Sequence, residues 1–357
     1  MLDKLKYYRK KKVLITGNTG FKGAWLSLFL KSLGAKVIGY SDGIYWKNGI
    51  FNNKNIKCIK QYWGDIRSYY NVHSVIKKES PDIIFHLAAQ PLVSESYKQP
   101  FNTLTINING TLNLLEIISK YYSDIPLVII TSDKVYKNNN ESKFFDEDSD
   151  IYGSCPYSTS KAVCEMIAHS YYNISKNISI RTARAGNVLG GGDWSENRII
   201  PDLVRSYMSK KSAIIRNPNS IRPWSYVLDI IIGYLIIGLD CIEKKPSFNS
   251  YNLSPLQKSS FTVLDLANKF LNKFDKRNPV VVDDLVEFKE KKFLKLSSNK
   301  IYKELNWSNQ ISFEDTVKLT AQWYQEVLSG LSPLKVTENN IKDYLQILNT
   351  KEKIYAS

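Results

Sequence analysis

The sequence predicts an α/β protein, a doubly wound parallel sheet with a smaller C-terminal lobe. Three observations carry this. Short apolar, β-branched runs alternate with longer helical patterns through the first half. Three evenly spaced glycines stand where the first run meets the first helix, and the rhythm changes after about residue 186. The runs KVLIT (12–16), KVIGY (36–40), DIIFHL (82–87), LVIIT (127–131) and ISIRTA (178–183) read as strands. They are almost continuously apolar, as strands covered on both faces of a parallel sheet must be. Helical patterns around 22–33, 68–79, 101–120 and 157–173 lie between them, so the connections are right-handed crossovers.

Beyond residue 186, AGNVLGGGDW and RNPNSIRPW gather Gly, Pro, Trp and Arg and read as loops reaching over a ligand. A last helix is expected near 313–329, after the loop-like LNWSNQ. The expected division places 1–185 in the sheet domain, with 225–250 returning to it, and 186–224 with 251–345 in the smaller lobe.

With 357 residues the chain is long enough for two lobes, and 43% hydrophobic against 23% charged residues is ordinary for a globular protein. The formal charge of +15 reads as a lysine-rich solvated surface rather than a nucleic-acid footprint, since no long basic block with interleaved aromatics follows residues 4–12. The apolar run from Ile230 to Leu239 is well short of the ~20 residues that span a bilayer. The basic start MLDKLKYYRKKK leads into a strand and not into an apolar signal core, so a cytoplasmic location and no membrane partner are expected. Cys58, Cys155, Cys164 and Cys241 show no metal-ligand spacing, and only His73, His86 and His169 are present. That excludes a disulfide framework, a histidine-rich metal centre and a Ser/His/Asp hydrolase; no metal is expected.

Gly17, Gly20 and Gly23 follow a strand and open a helix. Gly17 permits the sharp turn, Gly20 lets backbone approach a diphosphate, and Gly23 allows close helix–strand packing. The helix N-terminus then offers N–H groups and the positive end of its dipole to phosphate. The GxxGxxG spacing resembles the extended short-chain dehydrogenase/reductase family, which implies a Rossmann fold binding NAD. On that resemblance Thr19 and Phe21 belong to the cofactor loop. Asp42, at the end of the second strand, is placed to hold the adenosine ribose, with no nearby Arg for a 2′-phosphate. GDIR resembles the family's adenine loop, which implies that Asp65 and Ile66 touch the adenine, and Leu87, Ala88 and Ala89 would let the dinucleotide pass close to backbone.

In PYSTSK, Tyr157 and Lys161 stand four apart and share one helix face. A tyrosine with a pKa of ~10 is a poor base at neutral pH, and a neighbouring ammonium favours its ionised form. In TSDKVY, at the carboxyl end of a buried strand, Ser132 can bond a substrate hydroxyl, and an acid and an amine, Asp133 and Lys134, follow at once. These segments, together with GNTGFKGAWLSLFL, RAGNVLGGGDW and IRNPNSIRPW, resemble the CDP-glucose 4,6-dehydratase family over nearly the whole chain.

The resemblance implies oxidation of a hexose at C4, elimination of water across C5–C6, and return of the hydride to C6. Tyr157 would take the C4 hydroxyl proton, Asp133 would act as acid and Lys134 as base, its ammonium discharged by burial near Lys161. Asn187, Arg198, Arg216 and Arg222 would bind a CDP-hexose, the arginines through bidentate contacts to phosphate. A homodimer built on helices 101–120 and 157–173, and a role in supplying deoxysugars for O-antigen or a similar surface polysaccharide, are also implied. The same residues leave three alternatives: an NAD-dependent nucleotide-sugar epimerase or 4-reductase, a dehydratase of another nucleotide hexose, or a non-catalytic dinucleotide sensor.

Overall fold

The computed structural model describes residues 2–140, 142–256, 261–274, 280–282 and 293–356. Seven strands form the main sheet: β1 (Lys12–Thr16), β2 (Lys36–Ser41), β3 (Lys60–Trp63), β4 (Ile83–His86), β5 (Leu127–Ile130), β6 (Ile180–Ala185) and β7 (Phe248–Leu253). All neighbours are parallel, in the order β7-β6-β5-β4-β1-β2-β3. The order reverses between β1 and β4, where Thr16 lies between Tyr40 and His86. A crevice opens at that reversal, and it is there that ligands bind in open α/β sheets.

The helices used below are α1 (Phe21–Ser32), α2 (Tyr69–Glu79), α3 (Gly110–Tyr121), α4 (Pro156–Ile174), α5 (Ile199–Ser209), α6 (Val227–Glu243), α7 (Phe313–Leu328) and α8 (Pro333–Ala356). Alternate residues of β1 serve two cores, because successive side chains of a strand point to opposite faces. Val13 and Ile15 pack with Trp25 and Leu26 of α1 and with α6, while Leu14 packs with Ile76 of α2 and Leu114 of α3. The apolar run at 230–239 is the centre of α6, buried all round. Such a helix belongs to a core, and among the described residues no helix is long and apolar enough to cross a membrane.

Four features depart from the sequence expectation. Strand β3 is an edge strand whose KQYW is only half-buried, so it lacks the apolar run that marks the others. The boundary expected at residue 250 falls inside β7, which extends to Leu253 beside Ala185. The helix expected over 101–120 is interrupted by a π-helical turn at Thr105–Asn109 between Pro100–Leu104 and α3. Asn107 in that turn accepts the Gln90 backbone N–H at 2.8 Å and donates to Ser160 Oγ at 2.8 Å, bracing α4. Finally, α8 follows α7 and buries Val336, Ile341, Tyr344 and Leu348 in the core that contains Trp25.

The segment AGNVLGGGDW is a packing element more than a free loop. A Cβ on Gly190 would lie 2.5 Å from Val227, and one on Gly191 would lie 1.9 Å from the Trp323 ring.

Candidate active site

The loop from β1 into α1 folds onto itself. Gly17 has φ +72°, and a Cβ there would meet the Ala88 amide nitrogen at 2.6 Å; one on Gly23 would meet the Gly17 carbonyl at 2.1 Å. Gly20 is different: a Cβ would touch only the Gly17 carbonyl, at 3.4 Å. Gly17 therefore closes the turn against the segment that follows β4, Gly23 packs α1 onto the turn, and Gly20 leaves backbone open. No side chain caps the start of α1, so its first N–H groups remain available to an anion. These are the features a dinucleotide diphosphate requires, and the fold supplies them at the sheet's reversal point.

Around this loop, Thr19 Oγ1 donates to the Gly43 carbonyl at 2.7 Å, and Ser41 Oγ donates to Asn18 Oδ1 at 2.9 Å. Asp42 is exposed just beyond β2, where its carboxylate accepts the Tyr45 hydroxyl. The Asp65 carboxylate is engaged by Arg67, whose hydrogen bonds hold it below the usual carboxylate range. Ile66 is buried against Gly110. Leu87, Ala88 and Ala89 are half-buried at the end of β4, with the Ala88 N–H donating to Thr16 Oγ1 at 3.3 Å.

Helix α4 brings in the next pair. Pro156 occupies its first turn, and Cys155 caps it by accepting the Ser158 N–H. Tyr157 and Lys161 follow on one face, both buried. The Lys161 ammonium donates to the Ile130 carbonyl at 3.0 Å, which fixes α4 to the end of β5. Burial pushes the Tyr157 phenol up to about 12, and the strongest opposing pulls come from the Ser132 hydroxyl and the Arg198 cation. The phenol alone is thus neutral, and a further positive charge at the site is needed to make it a base.

Ser132, Asp133 and Lys134 form the turn directly after β5. Ser132 Oγ accepts the Lys134 N–H at 3.2 Å and donates to Asp133 Oδ1 at 3.1 Å. Asp133 is buried, and its second oxygen has no partner among the described residues. Burial raises its pKa, with Lys134 the main opposing charge, a shift in the direction that a proton-donating carboxyl requires. Lys134 is half-buried and not enclosed beside Lys161 as expected, because its turn faces an open cavity.

That cavity, about 460 Å³, joins the parts. Phe21, Ser132, Asp133, Lys134 and Tyr157 line it together with Asn187, Arg198, Arg216 and Arg222. Arg198 donates to Asp193 Oδ2 at 2.9 Å, Arg216 to Asn197 Oδ1 at 2.9 Å, and the buried Arg222 to the Ile221 carbonyl at 2.9 Å. Gly17, Asp42 and Asp65 are not in its lining; they follow the ends of β1, β2 and β3. Sequence reasoning passed over Lys22 and Asp193, which also line it. A charged residue set between two loop glycines was the available signal for Lys22. No group of His, Cys, Asp and Glu able to hold a metal occurs among the described residues.

Comparison with known proteins agrees with this geometry. A profile of the family described as GDP-mannose 4,6 dehydratase matches residues 14–320. The chain is 34% identical to CDP-glucose 4,6-dehydratase of Salmonella typhimurium over 97% of its own length and 99% of that protein. It is 28% identical to UDP-glucose 4-epimerase of Mycoplasma genitalium, over 73% of this chain and 81% of the other. Among solved structures, dTDP-glucose 4,6-dehydratase of Bacillus anthracis, in complex with NAD, aligns with a TM-score of 0.75 at 23% identity, covering 91% of this chain and 99% of that one. An epimerase of Methanothermobacter thermautotrophicus gives 0.80 at 26% identity, over 92% and 96%. A near-full-length match thus coincides with an acid–amine pair set beside a helix-borne tyrosine, and the chain belongs to the GDP-mannose 4,6 dehydratase family, nucleotide-sugar 4,6-dehydratases of the extended short-chain dehydrogenase/reductase type.

Proposed function

We propose that the protein converts CDP-glucose to CDP-4-keto-6-deoxyglucose with NAD. The observation that carries this is the buried Asp133, next to Lys134, in one cavity with Tyr157. An epimerase or 4-reductase has no use for that acid–amine pair, whereas a dehydration needs both an acid and a base.

Gly17, Thr19, Gly20, Phe21 and Gly23 would hold NAD, with Asp42 on the ribose, and the bound cofactor would supply a reversible hydride acceptor and a positive charge that favours the Tyr157 tyrosinate. Tyr157 takes the C4 hydroxyl proton while Ser132 orients that hydroxyl, and Lys161 holds α4 in place through Ile130. The C4 ketone makes the C5 proton removable, and Lys134 takes it as the free amine, since only the uncharged form has a lone pair to receive it. Asp133 gives its proton to the departing C6 hydroxyl, and the C5 proton is restored once C6 has been reduced. Asn187 and the three arginines hold the nucleotide diphosphate.

CDP is favoured over other nucleotides by the near-full-length likeness to a CDP-glucose enzyme. The product suits supply of a deoxysugar to a surface polysaccharide such as O-antigen. Free thiols at all four cysteines fit a reducing cytoplasm. A homodimer is supported by Phe101 and Met166, 78% and 62% exposed on the helices expected to pair.

The test is incubation with CDP-, dTDP-, GDP- and UDP-glucose in deuterated water, followed by mass and proton NMR spectra. Loss of water with deuterium at C5, fastest for the CDP sugar, is expected. An isomer of unchanged mass would replace this reading with epimerisation, and preference for another nucleotide would correct the base.

A further inference from the structure

Lys22 is a charged group in the cavity that the dehydration steps leave without a task. It sits in the first turn of α1, between Phe21 and Gly23, at a helix start that no side chain caps. Its ammonium donates to the Tyr234 hydroxyl at 3.0 Å and lies 5.6 Å from the centre of that ring. Tyr234 belongs to α6 and is fully buried, and burial keeps its phenol neutral. Lys22 makes no ion pair among the described residues. A lysine facing a cavity and hydrogen-bonded to a neutral phenol has no carboxylate paired with it directly.

The charged groups around it come from every adjoining element: Arg198 and Asp193 from the segment before α5, Lys161 from α4, and Asp133 from the turn after β5. Arg198 and Lys161 repel the ammonium, and the two carboxylates only partly offset them. Burial, with Arg198 next, brings the amine down to about 7. The missing partner is therefore an anion that enters with the ligand. Both ligands of the proposed reaction carry one of the same kind, a diphosphate ester.

We propose that Lys22 is a diphosphate-binding residue that takes up a proton from solvent as the ligand binds. This rests on the dinucleotide and nucleotide-sugar reading above. The amine gains its N–H from water or buffer, and the new ammonium bonds a phosphate oxygen while Tyr234 holds its other side. A role confined to packing the lysine stem on the Tyr234 ring would leave binding without any proton exchange.

Isothermal titration calorimetry separates the two, with NAD and CDP titrated singly at pH 7 in two buffers of different ionisation heat. Wild-type protein takes up a measurable fraction of a proton per site with the ligand whose diphosphate Lys22 meets, as expected of an amine that burial has brought towards neutrality. The ligand showing the uptake, NAD or CDP, identifies which diphosphate is bound. In Lys22→Arg, which carries a permanent charge, affinity stays within about threefold and the uptake disappears. In Lys22→Met the uptake disappears and binding weakens roughly tenfold, the loss typical of a charged hydrogen bond. Binding of both ligands to wild type with no uptake, or uptake unchanged in Lys22→Arg, overturns the proposal. Failure of wild type to bind either ligand would instead remove the parent reading.

Discussion

Glu165 offers the most direct physical test of how the site is supported. It lies on α4 one turn beyond Lys161 and is buried beneath the end of β5. Thr131 donates to its Oε1 at 2.5 Å, Thr182 to its Oε2 at 2.6 Å, and Arg184 to Oε2 at 2.9 Å. Burial pushes its carboxyl up, but Arg184 and the threonine hydroxyls more than offset this, and the group stays ionised. Glu165→Ala leaves the Arg184 guanidinium buried with only the Tyr136 hydroxyl and the Glu147 carbonyl as acceptors. Breaking a buried pair from one side costs about 3–5 kcal/mol. With an unfolding entropy of ~2.1 cal/mol/K for each residue of the chain, ~4 kcal/mol lowers Tm by ~5 °C. Glu165→Gln keeps the shape and loses the charge, so its fall is smaller. Differential scanning fluorimetry at pH 7 checks both. Because the folded carboxyl titrates below its ordinary value, the stabilisation is present above pH 4.5 and is lost as pH falls through the lower folded value. The wild-type advantage therefore shrinks in acid. A fall under ~1 °C for Glu165→Ala, or one that grows in acid, would refute the reasoning.

Three further outcomes follow from the same structure. Gly23→Ala places a methyl 2.1 Å from the Gly17 carbonyl; the loop must shift, stability falls by about 1–3 kcal/mol less the ~1 kcal/mol that alanine adds to a helix, and NAD affinity measured by calorimetry falls most. His86, buried between Thr16 and Thr111, is held neutral by burial down to about pH 3. The unfolded chain binds that proton near 6.5, so stability declines by up to ~1.4 kcal/mol per unit as pH drops from 6.5 towards 3, and urea midpoints for His86→Gln should lose this slope. Lys134→Met should still oxidise C4 but lose exchange of the C5 proton with deuterated solvent; undiminished exchange would remove Lys134 as the base.

Much of the nucleotide-binding half was legible because its signals are local. Val13 and Leu14 serve different cores, yet both appear in one apolar run, so β1 announces itself. Tyr157 and Lys161 share a face by spacing alone. What escaped was set by long-range packing. The polar edge strand β3 is ordered by its pairing with β2, and β7 by its register with β6, 68 residues earlier from Phe248 to Ile180. The π turn exists because Asn107 must meet Gln90 and Ser160 together. Spacing also left open where the Lys161 ammonium points, and Ile130 decides that.

The pairing of β7 with β6 has a mechanical consequence. The segment after Ala185 leaves the sheet at one strand end, and the chain departs again after Leu253 from the end directly alongside, where the Gly186 N–H donates to the Leu253 carbonyl at 3.4 Å. Two of the chain's crossings into the substrate-facing part, after Ala185 and after Leu253, thus share one narrow hem of the sheet. A substitution that loosens either strand end would therefore disturb both crossings together, as a pulled thread puckers two seams sewn on one edge.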